Sequence, residues 1–137
     1  HDDVAAIAQD AADKTDVYFV VDTLEYLQKG GRIGKASALI GGLLSFKPIL
    51  TVVDGLVHPH EKVRTRAKAV ARIGEIAINN GPYAEVGIIY EARGEAVDTL
   101  FGQLEPLSDR PVVAGQIGAV IGVYSGPGVI GVALRKA

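Results

Sequence analysis

Three short segments carry residue types that could hold a phosphate or a metal ion. Gly126-Pro127-Gly128-Val129-Ile130-Gly131 has the glycine spacing of a dinucleotide turn, in which backbone amides at a helix N-terminus receive a pyrophosphate. That chemistry needs a strand before the glycines, a helix after them and a ribose-binding acid about 20 residues on. Only six residues follow Gly131, and Val132-Ala133-Leu134 has strand character, so the motif is rejected. Gly30-Gly31-Arg32-Ile33-Gly34-Lys35-Ala36 imitates a phosphate loop. Its glycines are one residue too close, and Ala36 stands where a Ser or Thr hydroxyl must ligate magnesium. His58-Pro59-His60-Glu61 strings metal-ligand types together, but Pro59 imposes an extended path expected to point the two imidazoles apart. A solvated strand end fits that segment better.

Nucleophilic chemistry has equally little to draw on. Cysteine is absent, which excludes disulfides, thiolate catalysis and Cys-based zinc or iron–sulfur sites. No Gly-x-Ser-x-Gly elbow occurs, and the three histidines sit at His1 and in one turn, so a nucleophile lacks an obvious base. The sequence points away from an enzyme and implies no cofactor. The 137 residues are 48% hydrophobic with 14 Lys+Arg against 16 Asp+Glu, enough for one cored domain over residues 1–137. A formal charge of −2 argues against nucleic acid or an anionic membrane surface as the main partner. No apolar run reaches the ~18 residues of a membrane span, and no secretory leader is visible, so a cytoplasmic location is expected. Methionine is absent even at position 1, which is His1. Processing or tag removal would account for that; the preferred account is that residue 1 lies inside a longer protein.

The elements that must position any site follow from periodicity. Val4, Ala5, Ile7, Ala8 and Ala11 mark an amphipathic helix over 2–13. Val17-Tyr18-Phe19-Val20-Val21 is a strand with no polar alternation, expected to be covered on both faces. Asp22 and Thr23 are good cap types for a short helix 23–29, which Gly30-Gly31 terminates. Residues 32–46 show a helical pattern in Ile33, Ala36, Leu39, Ile40, Leu43 and Leu44, although Gly34, Gly41 and Gly42 each weaken a helix by roughly 1 kcal/mol. Asp54-Gly55 between Ile49–Val53 and Leu56–His58 is a strong hairpin signal. A long helix is predicted over 62–79, a strand over 84–90, a helix over 93–103, and strands over 111–114 and 128–134. The expected fold is α/β of the α+β kind, a mixed sheet of about five to six strands with helices packed mainly on one face.

Positive charge gathers on the predicted helix 62–79, where Arg64, Lys68, Arg72 and Glu75 share a stripe opposite Val63, Ala67, Val70, Ala71, Gly74 and Ala77. A solvated helix face is the simplest account. The functional alternative is a docking stripe of Arg64, Lys68 and Arg72 for an acidic protein partner.

Val20-Val21-Asp22-Thr23-Leu24-Glu25-Tyr26-Leu27, then Lys29-Gly30-Gly31-Arg32-Ile33-Gly34 and Lys47-Pro48-Ile49-Leu50, resembles the second half of the DegV family. These are bacterial fatty-acid-binding proteins, some of which present acyl chains to a fatty acid kinase. Ile117-Gly118-Ala119-Val120-Ile121-Gly122 running into Ser125-Gly126-Pro127-Gly128 looks like that family's closing motif, and the likeness covers essentially all of the chain. Family members carry a preceding α/β domain of comparable size, so the resemblance implies that this chain is the C-terminal lipid-binding half and that its own N-terminal domain is a partner.

The resemblance further implies a fatty acid in a cleft between the two domains. Helix 32–46 is then the expected tail wall, with Ile33, Leu39, Ile40, Leu43 and Leu44 along it. Each buried methylene gives about 0.8 kcal/mol, so a dozen could bind a long chain before entropic costs. Arg32 matches a family position near the domain junction, and its guanidinium can give a carboxylate two parallel hydrogen bonds. Tyr124, before Ser125, departs from the His often found there in fatty-acid-binding members; a phenol still donates but adds no charge near pH 7. The implied function is non-catalytic fatty acid binding that presents the lipid to a fatty acid kinase. The alternatives are a ligand-free regulatory or structural member, or a subunit of a dihydroxyacetone-kinase-like phosphotransferase. The orphaned domain interface is also expected to favour self-association.

Overall fold

Six segments become strands: β1 (Thr15–Val20), β2 (Lys47–Val53), β3 (Leu56–Val63), β4 (Glu85–Tyr90), β5 (Val113–Gln116) and β6 (Ile130–Arg135). The computed structural model describes residues 2–41 and 45–137. The strands form one sheet in the order β3-β2-β1-β6-β4-β5, in which only the β4–β5 pair is parallel. The Asp54-Gly55 hairpin forms as expected, with φ of 50° and 76° at its two central residues.

Alternation along the strands divides the core into two. Val20, Ile49, Val86, Ile88, Ile130, Val132 and Leu134 point to one face, beneath α3 (Arg66–Asn80) and α4 (Glu95–Leu104). Those helices contribute the buried Val70, Ile73, Ile76, Val97, Leu100 and Leu104. Phe19 and Leu50 point to the opposite face and meet Val21, Leu24, Leu27, Ala36 and Val129 in a second, smaller core. Strand β1 is therefore covered on both faces, as its unbroken apolar run requires. Helices α3 and α4 share one face, while short elements close one end of the other. These are α2 (Glu25–Lys29), a 3-10 turn over Gly34–Leu39 and α5 (Ala119–Ser125). Helix α1 (Asp2–Asp13) buries none of its residues, and its Val4 and Ile7 stay exposed.

Several expectations are corrected. No single α-helix runs over 32–46: the 3-10 turn ends at Leu39, and Ile40 is already extended at φ −80° and ψ 140°. Gly34 and Gly41 adopt positive φ, which an α-helix cannot absorb; Leu43 and Leu44 lie outside the described residues. The helix expected from residue 62 begins at Arg66, because β3 extends through Val63 and Thr65 caps α3 by accepting from the Lys68 amide at 3.2 Å. Its core side is also rotated from expectation: Ala67 and Ala71 are exposed, whereas Ala69, Ile73 and Ile76 are buried. The fifth strand begins at Val113, later than residue 111, and α5 was not expected as a helix. His58 pairs with Thr51 beside Tyr18, and His60 sits edge-on to Tyr18 with ring centroids 4.9 Å apart. Both imidazoles thus share the Tyr18 side of the sheet, against expectation, because side chains two apart on an extended strand face the same way.

Candidate ligand site at the glycine turns

The candidate site begins where α2 ends. Thr23 Oγ1 accepts from the Glu25 amide at 3.2 Å at the start of that helix, and Lys29 pairs with Glu25 at 2.6 Å along it. At its end the Arg32 amide donates to Leu27 O at 2.8 Å and the Gly31 amide to Gln28 O at 3.1 Å, with Gly31 at φ 69°. These are the two bonds of a Schellman closure, with glycine in the left-handed position it demands. The double glycine thus stops the helix and aims the chain at Arg32.

Arg32 swings over the ring of Tyr124, its guanidinium carbon 5.1 Å from the ring centroid. Tyr124 can lie there because Gly30 has no side chain: a Cβ at Gly30 would overlap the Tyr124 ring. The converse holds across the same contact, where a Cβ at Gly126 would overlap the Tyr26 ring. Helices α2 and α5 are thus pressed together by two tyrosines, each seated on a glycine of the other segment. Ser125 follows Tyr124 and is buried, its hydroxyl donating to Gly126 O at 3.2 Å. Among the described residues no carboxylate lies within ion-pair distance of Arg32.

Ile33 and Leu39, half-buried, pack against the second core beside this polar group. The structure therefore brings Arg32, Tyr124 and Ser125 together and sets Ile33 and Leu39 next to them. Ile40 stands apart, exposed at the extended end of the 3-10 turn. Open clefts lie elsewhere, a roomy one beside the β2–β3 hairpin against Val17, Val52 and Val53 and a smaller one between α3 and α4 against Ala67, Ala71 and Leu100. The Arg32 region is a wall with a cation at its edge.

The expected docking stripe is dispersed. Arg64 is exposed in the connection before α3 and Lys68 is exposed in its first turn. Arg72 is committed: its Nε and Nη2 donate to Glu61 at 2.8 and 3.2 Å and its Nη1 to Glu75 at 2.9 Å. The Arg72 hydrogen bonds hold the Glu61 carboxyl below the usual range. Arg135 and Arg110 do the same for Glu85 on β4. Sequence reasoning missed the pairing of Gly30 with Tyr124 and of Gly126 with Tyr26. The available signal was a glycine beside a tyrosine in each of two segments, a pattern that marks close backbone approach.

Comparison with known proteins bears on what this wall belongs to. The model of the DegV family, described as "Uncharacterised protein, DegV family", matches residues 1–137. The chain belongs to the DegV family. A DegV domain-containing protein of Streptomyces coelicolor is 41% identical over 141 residues, covering 98% of this chain and 50% of that protein. This DegV chain thus spans about half the length of the curated relatives it matches. Two solved DegV structures share the fold. The fatty acid binding DegV family protein of Streptococcus agalactiae superposes with a TM-score of 0.82 at 32% identity, over 99% of this chain and 50% of its own. The Thermus thermophilus DegV family protein, described by its fatty acid binding, superposes at 0.86 and 30% identity over the same shares.

Proposed function

We propose that this DegV chain is the C-terminal half of a cytoplasmic, non-catalytic protein that holds a long-chain fatty acid and presents it to a fatty acid kinase. The observation that carries the reading is the Arg32 guanidinium lying on Tyr124, beside the half-buried Ile33 and Leu39. A fatty acid needs that juxtaposition of a cation and an apolar wall: two parallel hydrogen bonds for the carboxylate and dry carbon for the tail. The preceding domain closes over this wall in the full-length protein and supplies the other side of the cleft. Ser125 and Tyr124 complete the head-group end, and Leu39, with the exposed Ile40 beyond it, continues along the tail. The fatty-acid-binding relatives support this assignment, as does the absence, among the described helices, of one long and apolar enough to cross a membrane.

The test is native mass spectrometry of the full-length protein purified from its host, with extraction and identification of any bound lipid. One acyl chain per protein is expected, reduced to a minor fraction in Arg32→Ala. An empty protein from a lipid-rich host favours the ligand-free regulatory member instead.

A further inference from the structure

The loop that follows Tyr124 and Ser125 is held by a cluster of charged side chains that the fatty-acid reading does not use. Arg66 Nη1 donates to Asp22 Oδ1 at 3.0 Å and also to the carbonyl oxygen of Gly128. The Asp22 carboxylate lies so close over Gly128 that a Cβ there would overlap it, and Gly128 takes φ 81° to fit. Lys47 Nζ donates to Asp22 O at 2.7 Å and steadies the same corner. From the other side Glu91 binds the loop twice, its carboxylate accepting from the Gly128 amide at 3.4 Å and its amide donating to Val129 O at 3.0 Å.

Arg66 occupies the first helical position of α3, and no acidic residue stands in that first turn. A cation at the positive end of a helix is unfavourable in itself, so helix formation does not account for an arginine there. Its tertiary contacts do. Helix α3 packs on the sheet face opposite the second core, and Arg66 reaches from it to the turn that ends α5. One nitrogen, Arg66 Nη1, serves both the carboxylate and the carbonyl, on a planar group that stays charged at any pH of interest.

We infer that the Asp22–Arg66 clasp on Gly128 is a positioning device for the head-group wall, setting where Tyr124 and Ser125 face the Arg32 guanidinium. Arg66 acts through the loop and does not touch the ligand. The inference rests on the fatty-acid reading and goes beyond it by assigning carboxylate selectivity to residues outside the ligand site. Freed from the clasp, the Gly126–Gly128 turn swivels, and the loss falls on recognition of the charged head while the tail wall of Ile33 and Leu39 is untouched.

The experiment uses the full-length protein and titrates palmitic acid and 1-hexadecanol, which share a tail and differ in the head, against a displaceable fluorescent fatty acid. Wild type is expected to prefer the acid. Arg66→Ala and Asp22→Asn should each weaken the acid roughly tenfold, the size of one misaimed charge-assisted hydrogen bond, while leaving the alcohol within about twofold. Arg66→Lys, which keeps the charge but carries it on a shorter, flexible stem without the planar guanidinium, should fall between. An unchanged acid-to-alcohol ratio in both Arg66→Ala and Asp22→Asn overturns the clasp, whether affinity is kept for both ligands or lost equally for both. If wild type binds neither ligand, the fatty-acid reading itself falls and takes the clasp with it, a pattern the variants cannot mimic.

Discussion

Tyr26 and Tyr124 are seated on Gly126 and Gly30, but the two glycines are required for different reasons. Gly30 has φ −80° and ψ −3°, an ordinary conformation for any residue, so only the Tyr124 ring excludes a side chain there. Gly126 has φ 75° and ψ −178°, a region essentially confined to glycine, in addition to the Tyr26 ring above it. Gly126→Ala should therefore cost about 1–3 kcal/mol from backbone strain alone, and Tyr26→Ala should not recover it. Gly30→Ala should destabilise as well, yet Tyr124→Ala in the same chain should recover most of that loss, because the conflict is between side chains. Urea midpoints of the two double-mutant cycles separate the cases. Equal recovery in both cycles would show that backbone conformation at Gly126 is not the constraint.

At the scale of elements, α3 is braced to edge strand β3 by Arg72, which grips Glu61 with two nitrogens and Glu75 with a third. Both partners are a little over a third exposed, so solvent screening keeps the pair's contribution at neutral pH small beyond holding the helix in register. Its pH signature has a definite sign. The folded Glu61 carboxyl lies below its ordinary value of 4.5, as does Glu85 beside Arg135 and Arg110, so the unfolded chain takes up these protons first. Their stabilisation is complete above that ordinary value and is lost as pH falls through the lower folded values. Glu61→Gln and Glu85→Gln should each flatten the acid limb of a urea-midpoint profile recorded from about pH 7 to pH 3. A limb as steep as wild type in both variants would place the acid sensitivity in other carboxylates. The start of α3 and its capping by Thr65 were not read from the sequence. The residues 62–65 fit a helical pattern equally well, and only pairing of Lys47 with Val63 in β2–β3 settles them as strand and connection.

For the whole molecule, exposed cations lie at the start of α3 and exposed apolar side chains lie along α5. Val120, Ile121 and Val123 on α5 are 79%, 59% and 66% exposed beside the proposed acyl wall, where the preceding domain is proposed to close. Arg64 and Lys68 lie at the start of α3, whose inner side packs on the opposite face of the sheet. Within the proposed function they are assigned to the kinase. Arg64→Glu with Lys68→Glu in the full-length protein should weaken coupling to the kinase, read as acyl phosphorylation at limiting protein, while palmitate affinity stays at the wild-type value. Loss of palmitate affinity would instead move these residues into the pocket. Arg72→Glu is a poorer probe, since it also breaks the Glu61 brace.

What the sequence determined by itself was local or periodic. The Asp54-Gly55 hairpin, the double-glycine stop after α2 and the two-sided burial of β1 each follow from one residue's backbone freedom or from a run of apolar side chains. The motif from Val20 to Gly34 also carried the family. The segment after Arg32 was misread because apolar spacing alone cannot distinguish an α-helix from a 3-10 turn followed by extended chain, when glycines at positive φ redirect it. Tertiary structure decided that Arg32 meets Tyr124, that Arg72 is spent on Glu61 and that Arg66 reaches Gly128. Each of those joins residues remote in the chain. Such contacts form only where packing makes an approach close enough, for Arg32 and Arg66 through glycines whose missing side chains became visible as space once the opposing ring or carboxylate was in place.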